Sequence, residues 1–134
     1  MQRYPLQISR IMRMLDNFLN GKVDDSLAHY NSVSLPTEEL QKVLQEIDKR
    51  IREKYNNDFV ANYDFIVTYR HGKLLNAEIS ILEYHITRMR TKEDVYIKVT
   101  CVLVEEDIPI YERKEMKTEK YWDIALDCRR VRLP

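Results

Sequence analysis

Glycine is scarce in this sequence, since only Gly21 and Gly72 occur among its 134 residues. Backbone that wraps a phosphate needs residues that adopt positive φ at little cost, and glycine is the residue best suited to this. Neither a Walker loop nor a GxGxxG turn can be built from two isolated glycines. The sequence therefore argues against nucleotide-dependent chemistry of those kinds, and we expect no cofactor.

Cysteine is equally scarce, and the formal net charge is zero. Cys101 and Cys128 lie in apolar runs without CxxC spacing or a nearby histidine pair, so we expect two buried free thiols and no metal site. Lys plus Arg and Asp plus Glu number 22 each, so no overall field draws the chain to nucleic acid or to anionic lipid. Any contact with nucleic acid would have to be local.

No long apolar run opens the chain, because Arg3, Arg10 and Arg13 interrupt its N-terminal segment. A secretory signal or a membrane-spanning helix would not carry these charges. We therefore expect a cytoplasmic protein without a membrane partner. The length suits one hydrophobic core, so residues 1–134 are predicted to form a single domain.

Apolar residues recur at helical spacing in two segments. The first runs from about Pro5 to Asn20, with Gly21 as a natural stop. The second runs from Thr37, which we expect to be the N-cap, to Tyr55, and Asn56 ends it. Residues 22–35 carry Asp, Ser and Asn with little apolar content, so they are predicted to form a loop with at most one helical turn.

After residue 57 the apolar period becomes two, which predicts four strands. They cover residues 59–70, 75–88, 95–104 and 121–128, and the charge-dense segment with Pro109 before the last one predicts an irregular connection. No helix separates the strands to make a parallel crossover. The sequence therefore predicts an α+β fold, with two N-terminal helices packed on one face of a four-stranded antiparallel meander sheet.

The second predicted strand changes the parity of its apolar residues, from odd positions up to Ile81 to even positions from Leu82. A three-residue turn at His71–Lys73 would set Phe65 opposite Ile79, whereas the next turn would set Tyr84 opposite Val99. One inserted residue near Ile81 and Leu82, a β-bulge, would reconcile the two pairings.

With this bulge, Glu83, His85 and Thr87 face away from the helices, beside polar residues of the next strand, and form a solvated patch. Without the bulge they would continue the apolar face into a buried pocket. The candidate binding residues are the charged and aromatic side chains near this patch and at the strand ends: Glu83, His85, Arg88, Arg90, Tyr96, Lys98, Arg129 and Arg130.

Three kinds of function fit these residues. The arginines and the nine tyrosines offer contacts to nucleic acid, although acidic neighbours dilute every cluster. Glu83 and His85 could form an acid and base pair in a small-molecule or hydrolytic site. No Ser or Cys lies in a recognisable nucleophile elbow, so no catalytic residue is assigned and an enzyme is the less favoured interpretation.

The third interpretation is a non-catalytic protein interaction module, and it is the one we favour. Ile66, Val102 and Val104, with Val60, are predicted to be apolar residues at one end of the second sheet face, which helices on one side only would leave uncovered. A protein partner or a second copy would cover them, so a homo-oligomer is expected. Such a module suits a small accessory, inhibitor or assembly protein, and the Tyr, Asn and Lys-rich composition would suit a viral or mobile-element origin.

Overall fold

The computed structural model describes residues 4–33, 35–56, 60–70, 75–88 and 90–134. Within these ranges, two helices and five strands follow in the order α1 (Tyr4–Leu19), β1 (Asp25–Val33), α2 (Thr37–Tyr55), β2 (Val60–Arg70), β3 (Leu75–Arg88), β4 (Glu93–Ile110) and β5 (Glu115–Arg132). All strand pairs are antiparallel, in the order β1-β5-β4-β3-β2. The α+β class is confirmed, and the predicted meander corresponds to β2 through β5.

The strand count of four was wrong, because residues 25–33 form a strand rather than a loop. β1 pairs with β5, placing Ser26 opposite Cys128 and Ala28 opposite Leu126. Ser26 and Ala28 are buried whereas Leu27 is exposed, so the segment does alternate. Its inward side chains are small and give little apolar signal. The stabilising partner is about a hundred residues away in sequence, where local periodicity cannot reveal it.

Both helices lie close to their predicted positions. The carbonyl of Pro36 accepts hydrogen bonds from the backbone N–H groups of Glu39 and Leu40 at 3.0 and 3.1 Å. Pro36 is therefore the N-cap of α2, and Thr37 is its first helical residue, not the cap as predicted. Asn56 ends the helix in the left-handed conformation, with φ of 53°, as asparagine does more readily than most residues.

The charge-dense connection around Pro109 was also wrongly predicted, since it belongs to two long strands. β4 and β5 are 18 residues each, and Pro109 lies opposite Met116. In the described part of the chain, β3 accompanies β4 only as far as Asn76 opposite Glu105. Proline is tolerated there because none of the strands described beyond that point needs its missing N–H. Residues 106–119 thus form a two-stranded extension, here called the arm.

The predicted β-bulge is absent from the described β3 ladders, whose register is continuous on both sides. Tyr63 pairs with Leu82 and Tyr84 pairs with Ile97, so the predicted pairings were each shifted. Ile79 and Ile81 therefore lie on the same sheet face as Glu83 and His85. The apolar residues of β3 change from odd to even positions because the sheet is apolar on both faces at the end where Ile79 pairs with Val102. The turn predicted at His71–Lys73 lies outside the described residues.

One hydrophobic cluster joins the two helices to one sheet face, here called the inner face. Its most deeply buried members include Leu15 and Phe18 of α1, Ile47 and Ile51 of α2, Tyr84 and Ile86 of β3, Val95, Ile97, Val99 and Cys101 of β4, and Leu126 and Cys128 of β5. Burial raises the pKa of both thiols to about 12. The expected buried free cysteines are confirmed. None of the helices in the described part of the chain is both long and apolar enough to cross a lipid bilayer.

Candidate functional site on the outer sheet face

The opposite, outer face of the sheet carries most of the predicted binding residues. Side chains alternate between faces along each strand, and directly paired residues share a face. Two adjacent rows result, one formed by His85, Tyr96 and Arg129 and the other by Glu83, Lys98 and Asp127. We call these six residues the polar band. The shift in register did not change their face, because the observed pairing of β3 with β4 differs from the predicted one by an even number of residues.

His85 and Tyr96 stack on one another in the first row. Their ring centroids are 4.5 Å apart and the ring planes differ by 10°. The Nε2 atom of His85 lies 3.3 Å from the Thr87 hydroxyl and 3.5 Å from the Asp94 carboxylate. The rings form a flat aromatic platform that is open to solvent, since Tyr96 is 42% exposed.

The charges of the polar band are held in pairs. Lys98 Nζ lies 3.8 Å from the Glu83 carboxylate, and Arg129 Nε donates a hydrogen bond to the Asp127 carboxylate at 3.2 Å. The hydrogen bond to Asp127, together with the charge of that carboxylate, raises the pKa of Arg129. Exposed pairs of this kind contribute little to stability. Because each of these pairs joins a positive to a negative side chain, the polar band has no large excess of one charge.

The polar band lines a depression of about 330 Å³. This volume is at the lower end of the range for small-molecule sites. The described lining contains acids, bases and aromatic rings but no serine or cysteine nucleophile. In the described part of the chain, no three His, Cys, Asp or Glu side chains are grouped so as to hold a metal ion.

The predicted binding arginines are divided between the two sheet faces, and Arg90 lies exposed in the turn between β3 and β4. Arg129 lies on the outer face, whereas Arg130 lies on the inner face, where its guanidinium donates hydrogen bonds to the carbonyl oxygens of Phe18 and Val23. The guanidinium of Arg88 lies 5.2 Å from the centre of the Tyr55 ring, also on the helix side. The structure therefore does not bring these cations together into one positive surface.

The predicted interface residues lie on the outer face. Val102 and Val104 are half-buried there, and Ile66 takes the register position opposite Ile79, with its side chain outside the described part. Val60 pairs with His85 and so lies at the other end of the face, contrary to the prediction. Sequence reasoning missed two further apolar residues, which the supposed bulge had turned inward. With them, the apolar strip consists of Ile79, Ile81, Val102 and Val104.

Exposed apolar side chains extend beyond this strip. Leu27 is 70% exposed and Val131 is 51% exposed, and both lie on the outer face at the polar-band end. Ile108 lies on the same face of the arm. Leu27 and Val131 could have been identified from the sequence by the alternation of side chains within residues 25–33 and 129–132.

A second concavity, of about 620 Å³, lies between the helices. Ile8, Met12 and Val43 contribute apolar lining. Arg50 closes one side by pairing with Asp16 at 2.5 Å and with Glu46 at 3.0 Å. These ion pairs link the two helices to each other. We therefore interpret the groove as part of the contact between the helices rather than as a binding site.

No protein-family model matches the chain, and neither a curated protein nor a solved structure matches it. The function proposed below therefore rests on the chain's own residues.

Proposed function

We propose that the protein is a non-catalytic interaction module that self-associates through the outer faces of two sheets. In this proposal both helices cover the inner face and the second copy covers the outer one. The observation that supports it is the placement of exposed apolar and aromatic side chains. Of the seven large ones exposed in the described part of the chain, four lie on the outer face, namely Leu27, Tyr96, Ile108 and Val131. Burying such side chains drives association.

The outer face is large enough for a stable dimer. β3 and β4 pair over thirteen positions, which span roughly 44 Å at about 3.4 Å per residue. Five strands about 4.8 Å apart make the sheet roughly 19 Å wide. The resulting area is roughly 800 Å² per copy, close to what each partner contributes to a standard interface.

Net charge does not oppose this association. Lys98 pairs with Glu83 and Arg129 pairs with Asp127 within one copy, so each charge keeps an opposite charge when the face is covered, and the remaining cost is the desolvation of these pairs. The chain also has a formal net charge of zero, which removes any general repulsion between copies. A small accessory, inhibitor or assembly protein in the cytoplasm is the role that fits this module.

Sedimentation velocity at micromolar concentration tests the proposal. The wild-type chain should sediment with twice its 16.2 kDa mass. Replacing both Leu27 and Val131 by Ser should weaken the dimer at least tenfold, because each change removes on the order of 1 kcal/mol of apolar burial. Val23→Ser is the matched control, since Val23 is exposed but lies before β1. A wild-type chain that stays monomeric at about 100 µM would contradict the proposal, because its dissociation constant would then lie well above that concentration.

A second candidate function is small-molecule binding in the depression of the polar band. The stacked pair of His85 and Tyr96 beside Lys98 supports it, because a planar anion could lie on the rings and contact the ammonium group. Fragment titration followed by amide NMR shifts would test this. The expected shifts are confined to β3 and β4 near these residues and are lost in His85→Ala. Shifts that persist in this variant would rule the site out.

A further inference from the structure

Asp94 holds a carboxylate oxygen that lacks a good partner. It lies two residues before Tyr96 on the outer face of β4 and pairs with Val131 of β5. Its side chain is 19% exposed, and its Oδ1 atom is buried and accepts no hydrogen bond from the residues that the structure describes. His85 Nε2 lies 3.5 Å from this oxygen, which is too far for a normal hydrogen bond. A buried carboxylate oxygen in this state is costly, because it has lost water without gaining a donor.

His85 is the side chain that can supply the missing positive charge. The charged side chains beside it on the outer face already form two ion pairs, Glu83 with Lys98 and Asp127 with Arg129. Asp25 of β1, at the position opposite Arg129, adds an exposed carboxylate. Val60 of β2, at the position opposite His85, has no titratable group. With a neutral imidazole, this end of the outer face therefore has an excess of negative charge, and a protonated His85 gives Asp94 a cation of its own.

The residues that support self-association lie directly beside this pair. Tyr96 stacks on the His85 ring, and Val131 is paired with Asp94 across the two strands. Tyr96 is 42% exposed and Val131 is 51% exposed. A second copy that removes both from water must also remove much of the water between His85 and Asp94, whichever way the two sheets are oriented. Loss of this water strengthens the attraction between opposite charges and raises the cost of a carboxylate without a partner.

We propose that self-association takes up a proton at His85 of each copy, so that the dimer becomes stronger as the pH falls. This inference rests on the proposed function and adds its regulation. Covering a neutral His85 ring would bury Asp94 as an unpaired charge, whereas a protonated ring forms an ion pair with it. The dimer thus binds the proton more tightly than the free chain. The added affinity is present at low pH and is lost as the pH rises through the range in which imidazole titrates, about pH 5 to 8.

Sedimentation equilibrium at about pH 6 and about pH 8, on either side of the ordinary imidazole titration, tests this inference. A tenfold gain in proton affinity at both histidines changes the dissociation constant by up to about a hundredfold. The wild-type chain should therefore associate at least about tenfold more tightly at the lower pH. His85→Gln keeps a hydrogen-bond donor but does not titrate, so its dissociation constant should be the same at both pH values. A pH dependence that persists in His85→Gln would overturn the inference.

Asp94→Asn separates the charge of this side chain from its shape. Because it removes the unpaired carboxylate, its dimer should be about tenfold tighter than the wild-type dimer at the higher pH and should depend little on pH. An unchanged or weaker dimer in this variant would also contradict the inference.

His29→Gln is the matched control, since His29 takes the position opposite Ala125, further along the sheet. This variant should keep the wild-type pH dependence, and its loss there would assign the proton to the wrong histidine. A wild-type dimer that is equally strong at both pH values would overturn the inference but leave the proposed function standing. A wild-type chain that is monomeric at about 100 µM at both pH values would refute both.

Discussion

The guanidinium of Arg130 donates a hydrogen bond to the carbonyl oxygen of Phe18 at 2.9 Å and lies 4.5 Å from the centre of the Phe18 ring. It also donates to the carbonyl oxygen of Val23 at 3.2 Å and pairs with Glu93 at 3.4 Å. These contacts join the last turn of α1 and the following loop to β5 and β4. Because carbonyls at a helix C-terminus lack intrahelical partners, a cation there has a clear stabilising role.

Arg130→Ala should lower the free energy of unfolding by about 2–3 kcal/mol, because it removes a buried guanidinium that binds two carbonyl oxygens and leaves the half-buried Glu93 without this cation. The adjacent residue provides a matched control. Arg129 is exposed and its ion pair with Asp127 lies at the surface, so Arg129→Ala should leave the free energy of unfolding nearly unchanged. Urea denaturation followed by circular dichroism gives both values. Equal losses in the two variants would show that burial does not distinguish these arginines.

A second prediction concerns the contact between β3 and α2. The Tyr84 hydroxyl donates a hydrogen bond to the Asp48 carboxylate, which also accepts one from Arg52 Nε at 2.7 Å. Tyr84 is almost fully buried, and burial together with this carboxylate raises the pKa of its hydroxyl. Tyr84→Phe should destabilise the protein by about 1–2 kcal/mol because it removes the donor but retains the ring.

Tyr96→Phe is the control for this substitution. Tyr96 lies on the outer face and is partly exposed, so loss of its hydroxyl should change the free energy of unfolding by less than about 0.5 kcal/mol. The comparison is made at a concentration where both variants are monomeric. A neutral Tyr84→Phe would mean that the hydroxyl does not hold α2 against the sheet.

Much of this fold follows from periodicity, and its errors have physical causes. The alternation of Trp122, Ile124 and Leu126 correctly predicted the central part of β5, because one face of that strand is buried there and the other is not. β1 was missed because Ser26 and Ala28 are its small inward residues. The strand is stabilised by pairing with the edge of β5, a long-range interaction that no local pattern reports.

The arm was missed for a different reason. Its charges suggested a solvated loop, yet Asp107 accepts a hydrogen bond from Thr118 across the two strands, and Glu105 pairs with Lys120 at the base of the arm. A run of charges can therefore form a ribbon when opposite or hydrogen-bonding residues face each other. Composition alone does not show which residues will be opposite.

The candidate site was predictable only in part. Alternation placed Glu83 and His85 on one face with Tyr96 and Lys98. The predicted pairing of β3 with β4 was wrong by two residues, but a shift of two residues leaves every side chain on the same face. The same alternation in β5 could have separated Arg129 from Arg130, which face opposite sides. The stacking of His85 on Tyr96 could not be predicted, because it depends on the pairing of these two residues directly opposite each other.

The buried thiols predict a pH dependence. Burial raises the pKa of Cys101 and of Cys128 from 9.0 to about 12, so the folded state favours the neutral thiol. The resulting stability is fully present below pH 9.0 and is lost as the pH rises toward about 12. Between pH 8 and 10.5 each thiol should cost up to about 2 kcal/mol.

The double variant with Cys101→Ala and Cys128→Ala isolates this effect from the titration of tyrosines and lysines. Its free energy of unfolding should fall less than that of the wild type over the same pH interval. At pH 8 the native wild-type chain should also react slowly with a disulfide reagent and rapidly in urea. Fast reaction of both thiols in the native state would contradict their burial.

The last prediction concerns the base of the arm, where Lys120 Nζ lies 3.0 Å from the Glu105 carboxylate of the paired strand. Lys120→Glu sets two like charges opposite each other, which should destabilise the ribbon by up to about 1 kcal/mol. Because the described core contains no residue of the arm, amide hydrogen exchange should accelerate within residues 106–119 and remain unchanged in β3. The reversed pair, Glu105→Lys with Lys120→Glu, restores opposite charges and should restore slow exchange. If the reversed pair exchanges as fast as the single variant, the ribbon is not stabilised by this pairing, and a contact with a second copy becomes the remaining source of its order.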